Sequence, residues 1–250
     1  MGYDYKQRKN VIFGILDSPA EISNKASISE LEKEDGGSLT FSNGIRTQIG
    51  SIFIDIEKST ELFSKDKSED TTVARIIRVF TSEIIQILND TELYRKIGIR
   101  GDCVFAVYDV KNEEDAVEIY NMAVYINTLK KMINKIFKGR NIKTINYGIG
   151  LGLSTDLVIK AGKKKVINDL VFVGDAVINA ANLSSKAGRT KTAVKGIAMD
   201  TNFYNKIYKI EKEKYPNFDT WFTPKWDNGI EYYHGSVINT NFDKWIDNEL

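Results

Sequence analysis

Two acids stand where hydrophobic strands run out. In "SIFIDIEKST", residues 51–60, Asp55 breaks an apolar run, and in "RKIGIRGDCVFA", residues 95–106, Asp102 follows Gly101 at the mouth of a hairpin with an apolar strand behind it. Two carboxylates on neighbouring strands, with no sulfur or imidazole cluster beside them, form a hard-oxygen environment that suits magnesium or manganese. Such ions complete their shell with substrate phosphates. The segment from Glu57 to Glu61, with Lys58, Ser59 and Thr60, could start a helix whose free amides point at those phosphates. By itself the pair also fits a strand end ahead of an N-capped helix and an ordinary hairpin corner.

Composition excludes several other chemistries. Lysine and arginine number 35 against 34 acids, for a net charge of +1, so no overall basic field exists to hold nucleic acid. The single cysteine, Cys103, and the single histidine, His234, allow neither an internal disulfide nor a Cys/His zinc site, which favours a reducing, cytoplasmic setting. No stretch reaches the roughly 18 uninterrupted apolar residues of a membrane span, and the first residues lack a convincing cleavage signal. A soluble protein with no membrane segment is expected.

The elements that must position the acids follow from periodicity. "TQIGSIFIDIE" reads as a buried strand; "EDTTVARIIRVFTSEIIQILND" carries Val73, Ile76, Ile77, Phe80, Ile84, Ile87 and Leu88 at helical spacing, with Asp70 or Thr71 as N-cap. "ELYRKIGIRGDCVFAVYDV" reads as two strands around a glycine turn, and "EDAVEIYNMAVYINTLKKMINKIF" as a long amphipathic helix with acids at its positive end. "KTINYGIGLGLST" suggests a central strand, "DLVIKAGKKKVINDLVFVG" a hairpin with a basic tip, and "DAVINAANLSSKAG" a helix ended by Gly188. Residues 1–44 are expected to form a leader or partner-contacting arm, 45–202 the catalytic domain, and 203–250 an aromatic-rich extension packed on its core.

"FIDIEKST", "GIRGDCVFAVY", "GIGLGLSTD" and "VFVGDAVINAANL", in this order, resemble the catalytic domain of class III nucleotidyl cyclases over roughly residues 46–200. The resemblance implies an α/β fold with a ferredoxin-like βαββαβ core, helices packed on a mainly antiparallel sheet, and head-to-tail homodimers with composite sites. It also implies two Mn2+ or Mg2+ ions per site, held by Asp55 and Asp102 with the backbone carbonyl of Ile56. In that family the ribose 3′-hydroxyl attacks the α-phosphate and pyrophosphate leaves.

The departures from the family bear on substrate. Purine cyclases usually place a base-reading Lys or Glu four residues before the second metal aspartate, and an Asp, Thr or Cys three residues before the glycine of the "GDAVN"-like motif; here those positions hold Gly98 and Val171. Neither side chain can hydrogen-bond a base. Arg100 supplies a donor fork instead, and Phe53, two residues before Asp55, could close the pocket on base or ribose. An arginine can donate to the carbonyl oxygens of uracil, whereas the cytosine amino group needs an acceptor. The set looks like the bacterial pyrimidine cyclases of Pycsar anti-phage systems, whose cyclic UMP or cyclic CMP signals to a separate effector.

A second departure concerns the transition state. The family's Asn and Arg, four residues apart, align on Ile178 and Asn182 in "VINAANL". Asn179 is assigned the asparagine's catalytic role after a local shift, Asn182 remains a nucleotide contact, and Lys186 and Arg189 are the cations in place to reach for the triphosphate. Cys103 is read as packing on the opposite strand face from Asp102, His234 as a surface or core-edge residue, and 161–169 as a solvated hairpin tip. The reading is a metal-dependent pyrimidine nucleotide cyclase taking UTP in preference to CTP. The alternatives are a purine cyclase with unusual base contacts and an inactive, nucleotide-binding regulatory dimer.

Overall fold

The computed structural model describes residues 2–34, 37–59, 69–163 and 165–250. In chain order the elements are α1 (Tyr5–Leu16), β1 (Glu21–Asn24), α2 (Ile28–Lys33), β2 (Asn43–Ile56), α3 (Asp70–Leu88), β3 (Tyr94–Arg100), β4 (Cys103–Asp109) and α4 (Glu113–Gly139). They continue with β5 (Tyr147–Lys163), β6 (Ile167–Val173), α5 (Asp175–Ser184), β7 (Ile197–Asp200), α6 (Thr201–Lys214), β8 (Phe222–Asp227), β9 (Ile230–Gly235) and α7 (Thr240–Glu249).

Two compact units result: residues 1–47 with 156–173, and residues 48–155 with 174–250. In the smaller unit β1 pairs in parallel with the start of β2, and β6 pairs antiparallel with the end of β5. The sequence reading ends its leader at residue 44, whereas β2 already begins at Asn43 and residues 1–47 fold into a unit with the β5–β6 hairpin. Residues 203–250 fold within the larger unit.

The larger unit has the strand order β3-β4-β2-β5-β7-β9-β8. Its first four strands, with α3 and α4, are the expected βαββαβ core. β2–β4, β3–β4, β7–β9 and β8–β9 pair antiparallel and β5–β7 in parallel. Burial alternates along β2: Ile52, Ile54 and Ile56 join a core with Ile76, Phe80, Ile84 and Leu88 of α3 and with the apolar side of α4, while Phe53 and Asp55 face the other way. Helix α4 starts on a reciprocal capping box between Asn112 and Asp115. Helix α3 starts differently from expectation, because Asp70 is already helical and the cap is Glu69, with no side-chain cap bond.

Strand β5 explains the small residues of "GIGLGLS". Tyr147, Ile149, Leu151 and Leu153 enter the core, and Gly148, Gly150 and Gly152 alternate onto the opposite face. A Cβ at Gly150 would lie 2.0 Å from the carbonyl oxygen of Ala180, and one at Gly152 2.2 Å from that of Ala176. The glycines therefore let α5 lie directly on the strand backbone. Helix α5 ends at Ser184 rather than at Gly188, and turns lead to Gly188, whose φ of +66° glycine adopts without strain. The aromatic C-terminal stretch packs on α4: Tyr204 and Tyr233 stack at 3.8 Å, and Phe218 and Phe222 meet the edge of Tyr120.

Candidate active site

Register brings the site residues into two rows across three strands. Asp55 of β2 is opposite Cys103 of β4, which is opposite Arg100 of β3; Phe53 is opposite Phe105, which is opposite Gly98. Partners directly opposite in a ladder share a face, so all six lie on the side of the sheet away from α3 and α4. The placement corrects the reading of Cys103, which sits on Asp55's face, between Asp55 and Arg100. Its thiol is pushed up to about 12 by burial and then by the charges of Asp55 and Asp102, so it stays protonated and serves as packing.

Asp102 lies in the two-residue turn closed by Arg100 and Cys103, and Gly101 accepts that turn at a φ of +63°. It is half-buried and lies near enough to Asp55 for its charge to count there. Burial raises the Asp55 carboxyl above the usual range, Arg189 pulls it down, and Asp102 pushes it up. Desolvation wins, so Asp55 is a carboxylate that wants a cation.

That cation is Arg189. Its Nη2 forms an ion pair with Asp55 Oδ2 and also donates to the Asp55 carbonyl at 3.2 Å, and its Nε donates to the Ser185 carbonyl at 3.0 Å. Nη1 is buried and has no hydrogen-bond partner among the described residues. Glu57 fastens the neighbouring strand ends: its amide donates to the Asn146 carbonyl at 2.8 Å and its carboxylate accepts from Asn146 Nδ2 at 2.8 Å. Behind these, Lys130 Nζ donates to the Tyr147 carbonyl at 2.6 Å, and its pKa is lowered to about 8 by burial and then by Arg189, against the pull of Glu57.

The donors fit a hard divalent ion. Asp55, Asp102 and the Ile56 carbonyl would offer oxygen alone and fewer groups than an octahedral shell takes, as suits an ion that shares its shell with phosphates. Among the described residues no group of three or more His, Cys, Asp or Glu side chains forms a metal cluster.

The remaining expected residues are dispersed. Lys58 is exposed in the turn after β2 at a φ of +54°, Ser59 is half-buried, and Thr60 lies outside the described residues, as does part of the expected helix start at 57–61. Arg100 is exposed. Val171 lies on β6 in the smaller unit, opposite Ile159. Asn179 donates from Nδ2 to buried Asp200 at 3.0 Å, so its amide is engaged within the fold. Asn182 is exposed on α5 and lines a cleft with Lys186 and Asp227, where Lys186 is ion-paired to Asp227. His234 is buried at the core edge and accepts from the Lys195 amide at 3.2 Å; burial lowers its pKa, which keeps it neutral.

Sequence reasoning does not single out Phe105. Its ring stacks on Phe53 at 5.0 Å and 14°, and a Cβ at Gly98 would lie 2.6 Å from it. The available signal is Phe105's place two residues after Cys103, which puts both on one face.

An α/β unit of this topology, with two strand-end carboxylates on its open face, defines a class III nucleotidyl cyclase domain. No family model matches the chain. It is 37% identical to a uridylate cyclase of Treponema porcinum over 98% of this chain and 82% of that one, and 28% identical to a uridylate cyclase of Gulbenkiania mobilis over 96% and 92%. Among solved structures the adenylyl cyclase CyaB of P. aeruginosa superposes with a TM-score of 0.57 at 16% identity, covering 76% of this chain and 94% of that one, a likeness of fold. The chain belongs to the class III nucleotidyl cyclases, in the family that contains these two uridylate cyclases.

Proposed function

We propose that the protein is a divalent-metal-dependent uridylate cyclase, converting UTP to 3′,5′-cyclic UMP and pyrophosphate. The bond formed joins the ribose 3′-oxygen to the α-phosphorus; the bond broken links that phosphorus to the oxygen bridging to the β-phosphate, and the hydroxyl proton is released. Two Mg2+ or Mn2+ ions on Asp55, Asp102 and the Ile56 carbonyl would supply Lewis-acid activation of the hydroxyl and neutralise triphosphate charge. The chain's own work is to hold the base and ribose so that the hydroxyl is in line.

The observation that carries the choice of base is Phe105 lying over Gly98. A longer side chain at 98, of the kind purine cyclases use to read a base, has its first carbon blocked by the ring. Phe53 and Phe105 instead present stacked apolar surface beside Arg100, and Arg100 donates to carbonyl oxygens, which uracil has on both sides of its N3. Cytosine offers one carbonyl and an amino group that finds no acceptor in this set, which favours UTP over CTP. The name shared by both relatives supports the same base.

The active form is a homodimer with composite sites, as the class III resemblance implies. The same resemblance supports a bacterial anti-phage role in the cytoplasm, in which the cyclic nucleotide is read by a separate effector; among the described residues no helix is long and apolar enough to cross a membrane. Arg100→Ala tests the base assignment. UTP preference over the other triphosphates should fall about tenfold or more, the scale of a lost charged hydrogen bond; unchanged preference would remove Arg100 from the pocket.

A further inference from the structure

The family's arginine position is filled by Asn182, and the two cations near it differ in what they do. Lys186 is spent on Asp227. Arg189 instead reaches the carboxylate assigned to the metal, and it is held by main-chain carbonyls that leave its position well defined: Ser185 on Nε, Asp55 and Ser184 on Nη2. The loop that carries it is fixed too, since the Gly188 amide donates to the carbonyls of Val194 and Lys195 at 3.0 Å.

We propose that Arg189 is the resident counter-ion of Asp55 in the nucleotide-free protein, and that when a divalent ion takes Asp55 the guanidinium turns to the nucleotide's phosphates, in place of the missing arginine. This rests on the metal-dependent cyclase reading. Three observations carry it. First, Arg189 occupies Oδ2, so a divalent ion that takes that oxygen competes with the guanidinium for it. Second, Nη1 is buried and unpartnered among the described residues, an unusual state for a charged donor, and an incoming phosphate oxygen would satisfy it. Third, the Lys130 ammonium stands near enough to Arg189 to feel its charge. Once Asp55 is neutralised by metal, two cations remain with less compensation, which favours an anion.

The test uses the full chain and metal alone. Mn2+ binding to the nucleotide-free protein is followed by the loss of the free-ion EPR signal, for the wild type, Arg189→Ala, Arg189→Lys and Asp55→Ala; inorganic tripolyphosphate is then titrated into the Mn2+-loaded proteins by calorimetry. Arg189→Ala should bind Mn2+ about tenfold more tightly and tripolyphosphate about tenfold more weakly, as expected for one charge-assisted pair lost in each state. Arg189→Lys, which keeps the charge and guards against a folding failure of the alanine variant, should fall between. Mn2+ affinity that is unchanged or weaker in Arg189→Ala overturns the counter-ion, and unchanged tripolyphosphate affinity overturns the phosphate role. Failure of the cyclase reading looks different: Mn2+ affinity indifferent to Asp55→Ala, or no pyrophosphate from any nucleotide with the wild type.

Discussion

Asp55 is under two opposed demands. Its strand buries it, which raises its proton affinity, and its proposed task needs it ionised beside a second acid. Arg189 reconciles the two while no metal is bound. Removing either carboxylate should therefore be close to fatal for turnover while leaving the fold: Asp55→Ala and Asp102→Ala are each expected to cut pyrophosphate release by about 100-fold or more, with unchanged circular dichroism. Activity surviving either change contradicts a shared metal site. At this scale the sequence was informative about the acids, because an aspartate ending an apolar strand stands out. It marked Arg189 as a cation for the triphosphate and not as the partner of Asp55, which lies 134 residues away and meets it only through the packing of α5. For Asn179, adjacency to Ile178 suggested a catalytic amide, but the structure engages that amide with Asp200.

At the scale of elements, the close seat of α5 on β5 decides where Ser184, Ser185 and Arg189 fall. Gly150→Ala places a methyl into the α5 backbone and should destabilise the larger unit by about 3 kcal/mol, the scale of overpacking without a flexible neighbour, readable as a lower urea midpoint. An unchanged midpoint would mean that α5 is not so closely seated. Helix α4 supplies a pH-dependent contribution through Lys130, whose folded pKa of about 8 lies below its ordinary 10.5. The unfolded chain then binds that proton more tightly, so the contribution to stability grows as pH rises from about 8 toward 10 and is lost as pH falls through about 8. Between pH 7.5 and 9.5 the wild type should gain about 2 kcal/mol relative to Lys130→Met in urea melts; parallel curves would remove Lys130 as the source. The elements themselves were largely legible, since periods of two and 3.6 survive in β2, α3, β4 and α4. The cap of α3 and the end of α5 were not, because Asp70 and Gly188 are good terminators that the chain uses one residue inside and four residues beyond the helix ends.

For the whole molecule, the ordering of motifs conveyed the cyclase fold and left the grouping of the chain unstated. Residues 1–47 look like a polar arm in sequence because β1 is four exposed residues, and only strand pairing shows them folding as a unit with the β5–β6 hairpin. If the active species is the proposed homodimer, specific activity should fall as the protein is diluted through its dissociation constant, in step with the dimer fraction from sedimentation; constant activity in a monomer would contradict composite sites. The proposed substrate choice also belongs to the assembled face, since Phe53, Phe105, Gly98 and Arg100 come from three strands and become one surface only in register. The most direct measurement is to incubate the purified protein with Mn2+ and each of the four ribonucleoside triphosphates in separate tubes and to identify the products by mass. Cyclic UMP, formed from UTP well ahead of any other cyclic nucleotide, is the expected result; cyclic AMP or cyclic GMP as the main product, or no cyclic product from any tube, would contradict a uridylate cyclase.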